Sequence, residues 1–167
     1  MLKSSIHLLG FLAILAFHGG WTAPQNNAQA ETLSKTNLCG VPPKFEAIGS
    51  SFFYFEHDLK QNWTAAAETC RQMGGHLAVI RDEQQFNAIY WQLQHNKWYW
   101  LGIKKGGQED QFVSVTSGTP APFLKWGWGH PNPFAHDWDC VQVITTVMIN
   151  ARCTNRANFI CQWSNEI

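Results

Sequence analysis

Five cysteines, at positions 39, 70, 140, 153 and 161, constrain this 167-residue chain more than any other feature. What they do depends on the redox compartment. No Cys-x2-Cys pair occurs, which argues against a structural zinc site. The N-terminus points to an oxidising compartment. Lys3 precedes an apolar run at 6–17 (IHLLGFLAILAF), followed by Gly19, Gly20, Ala23 and Pro24. A positive start, a short apolar run and a small-residue exit describe a secretory signal peptide, expected over 1–23. The alternative, a transmembrane anchor, needs about 20 apolar residues. Cleavage is placed between 19 and 30: His18 and Trp21 are poor residues before the near cuts, and Ala28-Gln29-Ala30 is cleaner but farther along. The expectation is a secreted, extracellular protein without a membrane span, carrying two disulfides and one leftover thiol. Spacing alone leaves the pairing open.

Charge narrows the partners. Lys and Arg number 12 against 12 Asp and Glu, so the formal net charge is zero. That balance lacks the basic footprint of nucleic-acid binders. Nine Trp and 11 Phe exclude a disordered chain, because such chains lack large apolar side chains.

Residues 24–38 are polar and rich in Gln, Asn and Ala, and read as a flexible leader. The folded domain is expected over 39–163, with 164–167 as a tail. Within it, Trp63, Ala66, Ala67 and Cys70 share one helical face, with Asn62 as N-cap and Gly74-Gly75 as stop. The segment 76–80 (HLAVI) favours a strand. Asp82 caps a second helix with Phe86, Ile89, Tyr90 and Leu93 on one face. Residues 98–103 (WYWLGI) read as a buried strand, 111–115 (QFVSV) as a half-buried one, and 139–145 and 158–163 as two more. Between them, 118–138 is rich in Gly and Pro and reads as a long irregular loop. Helices early and short strands late predict an α+β domain. A long loop inside a compact domain is usually functional, so this one is the candidate site.

These residues resemble the C-type lectin-like domains, in the style of small secreted insect lectins. Trp63-x-x-Ala66-x-x-x-Cys70 and Gly74-Gly75-His76-Leu77-Ala78 are similar to that family's first helix and following turn. Trp100-Leu101-Gly102-Ile103 resembles its Trp-Ile-Gly-Leu strand. Pro131-Asn132, Asp139-Cys140-Val141, Cys153 and Phe159-Ile160-Cys161 fall in the family's order. The resemblance implies a fold of two helices, small antiparallel sheets and a long irregular ligand loop, stapled by Cys70–Cys161 and Cys140–Cys153. It also implies carbohydrate recognition, with a calcium ion in the loop completed by sugar hydroxyls.

The calcium ligands do not carry over. Where the family has Glu-Pro-Asn or Gln-Pro-Asp, this chain has His130-Pro131-Asn132. The later Glu position is Trp138, and the family's Asn-Asp pair is Ile149-Asn150. Only Asn132 and Asn150 still offer an oxygen, whereas calcium takes six to eight hard oxygen ligands. The expectation is a degraded calcium–sugar site with no cofactor, and sugar binding that is weak or calcium-independent. Mannose- and galactose-type preference is not legible.

Other readings of the loop stay open at this point. His130, His136, Asp137 and Asp139 are residue types that zinc accepts, or else solvated loop residues. Trp126 matches a core position of the family. Trp128, Phe134 and Trp138 lie in the loop and offer an exposed apolar platform for a sugar ring or a protein, or else bury themselves. The candidate ligand-binding residues are therefore Trp128, His130, Asn132, Phe134, Trp138 and Asn150. Asn62-Trp63-Thr64 is a candidate glycosylation sequon, a role read as competing with the Asn62 cap. No nucleophile elbow, His-Glu-x-x-His or phosphate-binding Gly loop is present, so an enzyme is not expected. The reading is a lectin binding a glycan or glycoprotein; the alternative is a lectin-like module binding a protein or other non-sugar ligand through 126–138.

Cys39 has no partner in this scheme. Longer members of the family pair an N-terminal cysteine with one shortly downstream, where this chain has Ser50 and Ser51. A leftover thiol in a secreted protein often pairs between chains. A disulfide-linked dimer through Cys39, homo- or heteromeric, is expected, the alternative being a buried or capped thiol; native material running only as monomer on non-reducing gels would reject the dimer.

Overall fold

The computed structural model describes residues 40–106 and 111–163. The expected signal peptide, the leader, Cys39 and the 164–167 tail lie outside the described residues. Among the described residues, eight strands and two helices follow in order: β1 (Glu46–Ile48), β2 (Ser51–Gln61), α1 (Trp63–Gln72), β3 (His76–Leu77), α2 (Glu83–Tyr90), β4 (Tyr99–Lys105), β5 (Phe112–Ser114), β6 (Cys140–Ile144), β7 (Val147–Ala151) and β8 (Ala157–Trp163). Among the described residues no helix is long and apolar enough to cross a membrane.

Both helices start where the sequence places them. Asn62 Oδ1 accepts from the Ala65 N–H at 2.8 Å, and Asp82 Oδ1 accepts from the Gln85 N–H at 2.7 Å. Each satisfies one of the donors that a helix start leaves without a partner. α1 is capped at Met73, before Gly74 at φ +81°. A residue with a Cβ is strained in that left-handed turn.

The strands differ from the expectation in two ways. The small antiparallel sheets are joined in one sheet of order β1-β2-β8-β4-β6-β7, with β3 on β8 and β5 on β4. It is mixed, because β4 and β8 run parallel, with Tyr99 opposite Asn158 and Trp100 opposite Phe159. The second difference is β2, an 11-residue strand that the pattern reading passed over. Its aromatics alternate between two cores: Phe53 and Phe55 pack on one side, Phe52 and Tyr54 on the other. A strand covered on both faces shows no apolar–polar alternation, so the period-2 signal vanishes.

The same alternation organises β4 and β8. Tyr99, Leu101, Ile103 and Ile160 join the core that receives Phe86 and Ile89 of α2. Trp100, Phe159 and Cys161 join the core that receives Ala66 and Cys70 of α1. The helices thus cover opposite faces of the central strands. Two indoles pin this arrangement: Trp63 Nε1 donates to the Leu101 carbonyl at 2.8 Å, and Trp100 Nε1 donates to the Gln61 carbonyl at 2.9 Å. N–H groups taken out of water require such acceptors.

Cys70 bonds to Cys161, tying α1 to β8 across 91 residues, and Cys140 bonds to Cys153 across 13. These are the pairings that the family resemblance implies. On a chain-entropy model the short bridge contributes about 3 kcal/mol and the long one about 4.7 kcal/mol.

Gly102 is the tightest point of the sheet. Its N–H donates to the Ala78 carbonyl at 2.8 Å, and a Cβ there would run into the Leu77 carbonyl and crowd Val79. The obstacle is backbone, which cannot swing away. Gly102→Ala is expected to destabilise the oxidised protein by about 1–3 kcal/mol in denaturant titration, and an unchanged midpoint would refute this packing.

Candidate functional site

The long loop leaves β5 and returns to β6, so its ends are anchored in the sheet. Its first half is held by the β6–β7 hairpin. Met148 donates its N–H to the Lys125 carbonyl at 2.7 Å, and Gly127 donates to the Met148 carbonyl at 2.8 Å. Trp126 is half-buried, with its ring edge-on to Phe112 at 4.9 Å between centroids, so it serves the core.

The second half is organised around one buried side chain. Asn150 lies on β7 opposite Val141 and is 3% exposed. Its Oδ1 accepts from the Asn132 backbone N–H at 2.9 Å and stands 2.7 Å from His130 Nδ1. Its Nδ2 donates to the Trp138 carbonyl at 3.1 Å. A backbone N–H can only donate, which fixes the orientation of the Asn150 amide. Oδ1 can only accept, so His130 Nδ1 carries the proton. One amide therefore closes residues 130, 132 and 138 onto β7.

The rest of the loop reinforces this hub. Asn132 Oδ1 accepts from the Phe134 N–H at 3.0 Å. The His130 and Trp138 rings stack at 6.2 Å and 18°. The His130–Pro131 peptide is cis. At the rim Arg152 Nε pairs with Asp137 Oδ2 at 2.6 Å, with both side chains well exposed. Such a pair is worth at most about 1 kcal/mol.

The six candidate residues thus divide into two groups. His130, Asn132, Trp138 and Asn150 come together as the hub. Trp128 and Phe134 stay outside it, 100% and 87% exposed. A cleft of about 220 Å³ lies beside the hub, lined by Lys105, Phe112, Pro131, Asn132, Trp138 and Asn150. Lys105 and Phe112 carry no motif of their own, and only folding brings them here. The four residues weighed for zinc are dispersed in purpose: His130 is directed at Asn150 and Asp137 at Arg152. Among the described residues no group of three His, Cys, Asp or Glu side chains is placed to hold a metal.

The Asn62 cap and its sequon do not compete as the sequence reading has it. The cap uses Oδ1, whereas a glycan attaches at Nδ2, and Asn62 is exposed.

The family model described as the lectin C-type domain matches residues 59–163. The chain belongs to the C-type lectin domain family. Accessory gland protein Acp29AB of Drosophila simulans is 37% identical over 164 residues, covering 96% of this chain and 62% of that protein. The chain therefore spans just under two thirds of that relative. C-type lectin 37Db of Drosophila melanogaster is 32% identical over 119 residues, covering 69% of this chain and 79% of that protein. Among solved structures, the C-type lectin domain of murine dendritic cell inhibitory receptor 2, in complex with N-glycan, is similar at TM-score 0.65 and 27% identity. It covers 74% of this chain and 98% of that one.

In this C-type lectin domain Asn150 holds the loop against the sheet. Asn150→Ala would leave the Trp138 carbonyl, the Asn132 N–H and the His130 Nδ1–H without partners. The expected cost is about 1–3 kcal/mol, with faster amide exchange at Asn132. Unchanged melting together with unchanged exchange over 130–138 would remove Asn150 from this role.

Proposed function

We propose that this chain is a secreted carbohydrate-recognition protein that engages its ligand through Trp128 and Phe134, without calcium. One observation carries this reading. Two large aromatic side chains stand almost wholly in solvent on a loop whose backbone is fastened to the sheet. Exposing them opposes the hydrophobic effect, and a flat apolar ring is the partner that the C–H face of a sugar requires. A fastened loop also loses little conformational freedom on binding.

The residues in the loop do not fit a calcium shell. Asn132 Oδ1 and Asn150 Oδ1 both accept N–H hydrogen bonds, and the His130 Nδ1–H points at the Asn150 oxygen. An N–H donor there does the neutral equivalent of what a cation does, and engages the two side-chain oxygens that remain at the ligand positions. With Trp138 and Ile149 at the other ligand positions, no carboxylate offsets the desolvation of a divalent ion. The loop acts as a binding surface rather than a catalytic one. The signal-peptide pattern read over 1–23, and the accessory gland protein and lectin among the relatives, support secretion. The glycan bound to the murine domain supports a sugar as the ligand class.

A glycan array read with and without EDTA tests this. Binding is expected to survive EDTA and to weaken at least about tenfold in Trp128→Ala and Phe134→Ala, equivalent to about 1.4 kcal/mol. Glycan binding abolished by EDTA would overturn the calcium-independent mechanism. An array with no glycan bound, alongside protein capture that depends on Trp128, would favour a protein ligand instead.

A further inference from the structure

A second pocket, of about 360 Å³, opens at the other end of β4. Its lining includes Lys60, Lys97, Trp98, Gln142, Arg156 and Asn158. Chain geometry explains the gathering. Trp98 immediately precedes β4, Arg156 immediately precedes β8, and those two strands run parallel, so their starts lie side by side. Lys60 comes from the end of β2, opposite the start of β8. The loop hub sits beside Lys105, at the far end of the seven-residue β4. At about 3.3 Å per residue the two sites are roughly 20 Å apart.

Three features of this pocket point to an occupant. The first is charge: three cations line it and no carboxylate does. Lys97 Nζ gives one hydrogen bond to the His57 carbonyl at 2.5 Å, and Arg156 Nη2 gives one to the Lys60 carbonyl at 2.7 Å. Those bonds anchor the stems and leave further N–H donors on both heads. The second is Asn158, which is fully buried and yet has its Oδ1 without any hydrogen-bond partner. Its Nδ2 donates only a long bond, 3.5 Å, to the Leu59 carbonyl. A buried acceptor left in this condition costs about 1–3 kcal/mol, and its residue forms part of the pocket wall. The third is Trp98, 44% exposed beside the buried amide of Gln142. An aromatic face next to amides and cations matches a ring that carries hydroxyls on its edge and an anionic substituent.

We propose that this pocket is a second ligand site, selective for a sugar unit bearing a negative charge, either sulfate or carboxylate. Lys60, Lys97 and Arg156 hold the anionic group. Trp98 covers the apolar face of the ring. The balanced net charge of the whole chain favours a single acidic sugar over a long polyanion such as nucleic acid, because attraction is confined to this pocket. The site does not depend on the loop, and the two are separable by mutation.

Titration of the isotope-labelled protein with glucose sulfate, glucuronate and glucose, followed through the Trp98 indole N–H resonance, tests the proposal and separates the two anionic groups. At low ionic strength at least one anionic sugar is expected to shift that resonance, glucose much less, and added salt is expected to weaken the effect. Lys60→Glu is expected to weaken binding at least about tenfold. It leaves in place the Lys60 backbone carbonyl on which Arg156 rests. Trp128→Ala is expected to leave the titration unchanged while impairing the loop. The proposal is overturned if neither anion binds, if glucose binds equally, if Lys60→Glu has no effect, or if inorganic sulfate or a short oligonucleotide binds there more tightly than either sugar. A loss in Trp128→Ala would assign the signal to the loop and overturn it as well.

Discussion

The central strands β4 and β8 are covered on both faces, and the rest of the molecule follows from that. A sheet with two dry faces needs a layer on each. α1 supplies one through Ala66 and Cys70, and α2 supplies the other through Phe86 and Ile89. The two layers cannot be built from one stripe of apolar residues. Successive residues of β4 therefore serve different cores, with Trp100 on one side and Tyr99 and Leu101 on the other. Gly102 marks where this layering leaves no room, because the Leu77 carbonyl occupies the place of a Cβ. The Cys70–Cys161 bridge joins a helix to a central strand within one of these cores, so it restrains the unfolded chain without distorting the surface.

With the centre so constrained, the edges are free to differ. The β6–β7 hairpin at one edge carries Asn150, and Asn150 carries the loop. A buried amide with both ends satisfied is directional in a way that an apolar contact is not. It specifies which backbone groups approach and at what distance. The loop keeps a defined shape without regular structure of its own. Trp128 and Phe134 are then displayed from a fixed platform, which separates them from aromatics that are exposed for want of a core.

Legibility in the sequence varied with how local the cause was. Asn62 and Asp82 were readable as caps because a cap is decided within a few residues. Trp126 was readable as a core residue and the 118–138 loop as irregular. By contrast, β2 escaped notice because Phe52, Phe53, Tyr54 and Phe55 form one unbroken aromatic run. Such a run has no period from which to choose a face. The segment 76–80 read as a strand, yet pairs only at His76 and Leu77. Beyond them, Ala78 bridges between the strands, taking a bond from Gly102 and giving one to Ile160. Of the loop residues, His130 and Asn150 stood out only as failed calcium ligands, and nothing near either position announces that they bond to each other.

The sequence by itself determined both helix starts, the stop of α1, the irregular loop, the cysteine positions and the absence of the family's carboxylates. Each of these is a property of neighbouring residues, or of residue type at a position. Only the tertiary structure decided the Asn150 hub and the separation of half-buried Trp126 from exposed Trp128. Only it gathered Lys60, Lys97, Arg156 and the unpartnered Asn158 at one end of β4. Lys60, Lys97 and the 156–158 segment are far apart along the chain, and what brings them together is the pairing of β8 with β2 and, in parallel, with β4. That pairing depends on both faces of the sheet being buried, a condition that no short window of sequence contains.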